Sequence, residues 1–328
     1  MNDCGSLKPV AASALVVLCA LLFAAGACAA QPMSVIGVLT PGMIYDPIFE
    51  GLREGLKKFG YREGRDLQFV VEDSKGDTLN FPARAAKLLE SRPDLILTMT
   101  TLPTKAARQA TTTTPILFTA VADPVQAGLA PSFASSRNNL TGVSSYAAPL
   151  IGKRLSVLKE LAPKTKEVLA IVSAKENSAQ ISARFLEDAA RKMGIQVHRR
   201  DVARTDEIDT ALAEKPVTTD AIFHVASVLV GNNIEALIAT SRKDRLPLMV
   251  NQESMVRDGA LASYGADFRL SGFQAAKMMA KLLKGAKPSD IPIETPENFL
   301  LAINVTVAKM IGLKIPRNIL ERADRLMD

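Results

Sequence analysis

Val35-Ile36-Gly37-Val38-Leu39, then the loop Thr40–Asp46, then Ile48, Leu52, Leu56 and Phe59 at helical spacing before Gly60, reads as strand, loop and helix. The same order returns from Glu167. Val168–Val172 is an apolar run, Ser173–Ser178 is a loop, and a helix ends in Arg191-Lys192-Met193-Gly194, matching Lys57-Lys58-Phe59-Gly60. Strands at Leu67–Val71 and Ile195–His198 follow. Asp94-Leu95-Ile96-Leu97 matches Asp220-Ala221-Ile222-Phe223, and Pro115-Ile116-Leu117-Phe118 matches Pro247-Leu248-Met249-Val250. The matched landmarks stand 126 to 134 residues apart, so one β-α-β-α-β-α-β lobe is written twice. Alternating strands and helices predict an α/β fold: two doubly wound parallel-sheet lobes joined by a hinge.

Working outward, the segment Gly259–Tyr264 and a helix over Ser271–Lys284 follow the second lobe and read as a return to the first. The expected division is therefore 31–147 plus 252–286 for lobe 1 and 148–251 plus 287–328 for lobe 2. Crossings are expected near Tyr146–Leu150, Val250–Gln252 and Ala286–Pro288. N-terminal to the first lobe, Lys8 precedes an apolar run from Val10 to Ala25 and the small residues Gly26–Ala30. That pattern reads as a secretory signal peptide over residues 1–30, cut after Ala27-Cys28-Ala29. A second reading makes Cys28 a lipid anchor. All three cysteines, Cys4, Cys19 and Cys28, lie in this segment, so no disulfide is expected in the mature chain.

The 328 residues suffice for two cores, and 48% are hydrophobic. The net charge of +6 is spread along the chain without a basic stripe, which argues against nucleic acid as a partner. No nucleophile motif, phosphate loop or metal-binding helix signature occurs. His198 lies beside Arg199 and Arg200, and His224 ends an apolar strand. No enzyme activity, metal or cofactor is expected.

In open α/β sheets ligands sit beyond the carboxyl ends of the strands. Those ends supply the candidate ligand-binding residues: Tyr45 and Asp46, then Thr100, Thr101 and Thr104, then Asp123 and Pro124 in lobe 1; Ser173, Ser227, Asn251 and Glu253 in lobe 2. The threonines lead into a helix, whose free N–H groups and hydroxyls suit a carboxylate, though they also suit simple capping. Asp46, Asp123 and Glu253 are acids suited to an ammonium group, and Asp123-Pro124 also suits a turn.

An ordered set of motifs carries a family resemblance. It comprises Glu50-Gly51-Leu52-Arg53 with Phe59–Arg65, Gln109-Ala110-Thr111 through Pro115-Ile116, Asp123-Pro124-Val125 with Gly128-Leu129, and Asn139-Leu140-Thr141-Gly142. It continues as Lys153-Arg154-Leu155 to Pro163, Arg245-Leu246-Pro247, Ser263-Tyr264-Gly265, Leu283–Pro288, and Ile303-Asn304 with Gly312–Pro316. From about Val35 to Met327 the chain resembles the ABC transporter substrate-binding protein family, of type 1 periplasmic-binding-protein fold. The resemblance implies capture of a small polar or amino-acid-like ligand between lobes by hinge closure, and delivery to an ABC permease in the inner membrane. With the signal peptide, a monomer in the periplasm is expected. Relatives bind amino acids, often aromatic or apolar ones. Many carry an acid after the strand equivalent to Ile222–Val225, where this chain has Ser227, a departure that counts against an amino-acid ligand. An extracytoplasmic sensing subunit for a membrane receptor is the alternative within the same fold.

Overall fold

Strands β1 (Ser34–Thr40), β2 (Leu67–Asp73), β3 (Leu95–Met99), β4 (Ile116–Val121) and β5 (Leu140–Ser144) alternate with helices α1 (Asp46–Lys58), α2 (Phe81–Glu90) and α3 (Thr101–Ala110) in a computed structural model that describes residues 33–328 except 76 and 78. The five strands form one parallel sheet in the order β2-β1-β3-β4-β5. Strands β1, β3, β4 and β5 are largely buried on both faces, as a sheet covered on both sides requires, while edge strand β2 is half exposed. Ile36 and Val38 pack towards α1, while Leu39 packs towards α2 and α3.

The second half repeats this order. It runs α4 (Ile151–Leu161), β6 (Glu167–Ser173), α5 (Asn177–Lys192), β7 (Gln196–Val202), α6 (Asp206–Ala213) and β8 (Ala221–Phe223). It goes on with α7 (Val228–Gly231), α8 (Ile234–Asp244), β9 (Leu248–Val250), α9 (Glu253–Asp258) and β10 (Ala262–Ala266). After α10 (Phe268–Leu283), the chain ends with β11 (Phe299–Asn304), α11 (Val305–Met310), α12 (Arg317–Leu320) and β12 (Arg325–Met327). The second sheet has seven strands in the order β12-β11-β10-β9-β8-β6-β7. Only the β10–β11 pair among them is antiparallel.

The strand orders correct the expected lobe division. Each repeat has a fifth strand: β5 in the first and β10 in the second, each hydrogen-bonded beside the fourth strand of its own sheet. Gly259–Tyr264 therefore does not return to lobe 1, because the backbone groups of β10 are taken by β9 and β11 in the second sheet. What returns is α10. It seats on α1, where Gly51 and Gly272 let the two backbones touch: a Cβ at Gly51 would lie 1.9 Å from the Arg269 carbonyl oxygen, and one at Gly272 1.9 Å from that of Ile48. The crossing expected at Val250–Gln252 lies instead after β10, at Ala266–Phe268. The crossing expected at Ala286–Pro288 is also displaced. Residues 288–294 run along β5, with the Glu294 N–H donating to the Gly142 carbonyl at 2.9 Å and its carbonyl accepting from Ser144 N–H at 2.9 Å. The chain leaves for the second sheet between Thr295 and Phe299. Between β5 and α4 the chain runs through residues 145–150.

The signal-peptide segment and the Cys28 anchor lie outside the described residues. Among those described, no helix is long and apolar enough to cross a membrane.

Candidate functional site

A narrow cleft lies between the carboxyl ends of the two sheets. One wall comes from the first sheet and its helices: Tyr45, Thr100, Thr101 and Leu102, with Ala120, Ala122, Ser145, Ala147 and Phe268. The other comes from the second: Glu176 and Ser178, Ala226, Ser227 and Val228, with Asn251 and Gln252.

The first wall is built around the start of α3. Thr100 turns from β3 into the helix at φ 74°, ψ 174°, a region open mainly to glycine and costly for a β-branched residue. Its hydroxyl is buried and has no partner among the described residues. The first N–H groups of α3, on Thr101 and Leu102, have no intrahelical carbonyl to meet, and Pro103 has none to offer. Two further residues of this wall and its border are also left-handed: Ala120 at φ 55°, where the β4–β5 register shifts, and Tyr146 at φ 54°. Strain of this kind gathers at ligand clamps. Alanines at 120, 122 and 147 keep the space above the helix start open.

The opposite wall carries a buried carboxyl group. Glu176 precedes α5 and is 3% exposed. Its two carboxylate oxygens accept from the Val228 N–H at 2.8 Å and the Leu229 N–H at 2.9 Å, the first donors of α7. Burial pushes its carboxyl above the usual carboxylate range, and these two N–H groups and the Ser173 hydroxyl pull the other way. Tyr45 reaches across from the first wall. Burial pushes its phenol well above the usual value, the Glu176 charge adds to this, and a hydrogen bond with Gln252 opposes it. Tyr45 also stacks on Phe268, with ring centroids 5.8 Å apart. At the cleft edge Asn232 Nδ2 donates to the Pro41 carbonyl at 3.1 Å, tying α7 to the β1–α1 loop.

Five of the residues marked from the sequence meet at this cleft: Tyr45, Thr100, Thr101, Ser227 and Asn251. The others do not line it. Asp46 is exposed and opens α1. Thr104 is fully buried, its hydroxyl donating to the Thr100 carbonyl at 2.6 Å and sharing a 2.8 Å bond with Thr98, so it fixes the helix start from behind. Asp123 Oδ1 accepts from Val125 N–H and Gln126 N–H at 2.9 and 3.0 Å, which makes Asp123-Pro124 a turn. Ser173 is buried behind Glu176. Glu253 faces Arg257 in a neighbouring groove. Glu176, Gln252 and Phe268 were not singled out. The first two sit inside the strand-end loops Ser173–Ser178 and Asn251–Glu253, which mark the neighbourhood but not the residue. Phe268 follows β10, whose sheet the sequence misassigns.

Known proteins resemble the chain along nearly its whole length. It is 27% identical to the tyrosine-binding protein of Clostridioides difficile strain R20291 over 269 residues, 82% of this chain and 77% of that protein. A Streptococcus pneumoniae ABC domain solved in complex with L-Trp superposes with TM-score 0.84 at 25% identity, covering 90% of this chain and all of that one. The ligand-free, open structure of a substrate-binding protein with adhesive properties from Clostridium difficile, also 25% identical, covers 90% of this chain and 99% of that one with TM-score 0.67. The superposition scores higher on the L-Trp-bound structure than on the ligand-free, open one. Solute-binding proteins of ABC transporters only 15–16% identical share the fold, a type 1 periplasmic-binding-protein architecture. The family described as ABC transporter substrate binding protein matches residues 36–327, and the chain belongs to that family.

Proposed function

We propose that the chain is the extracytoplasmic solute-binding component of an ABC importer, and that its ligand is an α-amino acid held as a zwitterion between the lobes. One observation carries the ligand class. At α7 an internal carboxylate, Glu176, occupies the first N–H groups of a helix. At α3, the counterpart in the other repeat, those groups and the Thr100 hydroxyl have no such partner among the described residues. A ligand carboxylate would complete α3, and its ammonium would meet the Glu176 charge on the facing wall. The acid missing at position 227 is thus supplied by the adjacent loop, which removes the objection that Ser227 raised. The names of the relatives, tyrosine-binding and L-Trp-bound, agree with this class.

In this reading the first sheet with α10 forms one lobe and the second sheet the other. Closure turns on 145–150, 266–268 and 295–298, and the closed monomer engages a permease in the inner membrane. Residues 1–30 direct export to the periplasm. The cleft binds rather than reacts: Glu176 is committed to two N–H groups, and the Tyr45 phenol is pushed away from ionisation.

The experiment is calorimetry and thermal shift on the chain from Gln31 onward, with the standard amino acids, small carboxylates and sugars. A ligand that binds only the folded state stabilises it by about 2.7 kcal/mol at a hundredfold excess over Kd. Stabilisation by amino acids, with a more compact scattering profile on saturation, supports the proposal. Stabilisation by sugars or by amine-free carboxylates alone overturns the ligand class.

A further inference from the structure

Behind the second wall lies a polar row that the zwitterion reading does not use. Arg154 of α4 is 1% exposed. Its Nε donates to the Tyr264 carbonyl at 2.9 Å, and Nη1 and Nη2 have no partner among the described residues. No carboxylate acts on it, and burial alone pulls its pKa down to about 10. His224, at the end of β8, is also 1% exposed, and neither ring nitrogen has a partner. Burial and the Arg154 charge keep the imidazole neutral, with its pKa pulled down to about 3. Asn251 lies alongside His224, where its side chain works against that shift, but the contact falls short of hydrogen-bond geometry and leaves Asn251 Oδ1 and both ring nitrogens without a partner among the described residues. Asn251 and Ala226, two residues beyond His224, both line the cleft.

A buried guanidinium without an acid is expensive; its Cζ lies 5.9 Å from the Phe223 ring centroid, at the outer limit of a cation–π contact, and its single backbone bond leaves both terminal nitrogens unused. A neutral donor would serve Tyr264 equally well. The row therefore has the form of a receptor for something that arrives.

We propose that Arg154, His224 and Asn251 form a second polar subsite, which takes an acceptor oxygen on the ligand's side chain: a phenolic hydroxyl, a carboxamide or a carboxylate. This rests on the amino-acid reading above and deepens it. The side-chain tip passes Asn251, whose Oδ1 accepts from a hydroxyl or amide donor, and the tip's oxygen accepts from the guanidinium. An aliphatic or phenyl side chain in the same place leaves all these groups unpaired, so the row selects against it.

The test is calorimetry with shape-matched pairs, tyrosine against phenylalanine and glutamine against leucine, on the wild-type chain and on Arg154→Met and Asn251→Ala. The wild-type chain should prefer the oxygen-bearing member of at least one pair by on the order of a hundredfold or more. Arg154→Met should cut that preference below about tenfold while the empty protein melts no lower, because the variant removes an uncompensated buried charge. Equal wild-type binding within both pairs overturns the subsite and leaves the amino-acid reading intact. Binding of no amino acid overturns both. If Arg154→Met melts lower with its preference intact, Arg154 is structural and the proposal falls. If that variant does not fold, Asn251→Ala decides: a preference that survives there overturns the subsite, and one that collapses upholds it.

Discussion

Thr100 and Ser227 hold the same place in the two repeats, each just past the third strand and each opening a helix. Ser227 is an ordinary cap. Its backbone is extended and its hydroxyl accepts from the Val230 N–H at 3.1 Å, while Glu176 takes the Val228 and Leu229 N–H groups. Thr100 is left-handed, and among the described residues its hydroxyl is unpartnered and no carboxylate accepts from the first N–H groups of α3. The residue equivalent to Glu176, immediately before the first helix of its repeat, is Tyr45. One lobe has therefore closed its helix start with its own acid, while the other has left the same site open. The difference teaches what the cleft lacks: a carboxylate on one side and a positive group on the other.

The sharpest way to break this comparison is to remove the charge of the internal acid. Glu176→Gln keeps the shape and one acceptor but no longer answers an ammonium. Affinity for an amino acid should fall on the order of a hundredfold by calorimetry, within the range for losing one partner of a desolvated charge pair. Affinity should also fall in the wild-type chain as pH drops through the raised Glu176 pKa, because the ligand needs the ionised form; the variant should show no such dependence. The stability of the empty protein moves the other way. With the folded pKa above the unfolded one, the Glu176 contribution is fully present below the unfolded value and lost as pH rises through the folded value. An unchanged affinity in Glu176→Gln, with only a lower melting temperature, would make Glu176 a cap of α7 and nothing more.

A smaller effect probes the open site itself. Thr100→Gly removes the unpartnered hydroxyl and relieves a conformation that costs a non-glycine residue about 1–3 kcal/mol. The empty protein should melt higher by the equivalent of about 1 kcal/mol, after the entropy cost of glycine. Ligand affinity should drop about tenfold, the share of one hydrogen bond. A variant that is more stable and equally tight would show that the strain at Thr100 serves something other than the ligand.

How far the sequence reveals this asymmetry depends on distance along the chain. The repeat, the strand-end loops and the threonine-rich start of α3 are local patterns, so apolar periodicity and helix-start chemistry make them legible. The strand Leu140–Ser144 is short and enclosed by turns. Without it the first repeat reads as complete at four strands, which assigns β10 to the wrong lobe. Glu176 acquires its role from Val228 and Leu229, some fifty residues further on, and nothing in Ala174–Ser178 announces the contact. Arg154, beside Lys153 in a helix, follows the pattern of a solvated charge and is instead 1% exposed.

The smallest effect expected concerns Asp123, an acid whose position past β4 made it a candidate for the ligand. Its Oδ1 accepts from the N–H groups of Val125 and Gln126, and the residue does not line the cleft. If the two walls carry all the recognition, Asp123→Ala should lower stability by about 0.5–1.5 kcal/mol, the worth of a turn-closing hydrogen bond. It should leave Kd within about twofold. Asn at this position can still accept both N–H groups, so Asp123→Asn should match the wild-type chain in both measurements. A tenfold loss of affinity in Asp123→Asn, with an unaltered melting temperature, would mean that its charge reaches the ligand. The zwitterion would then have two acids competing for one ammonium, and the division between an open wall and a closed one would no longer describe the cleft.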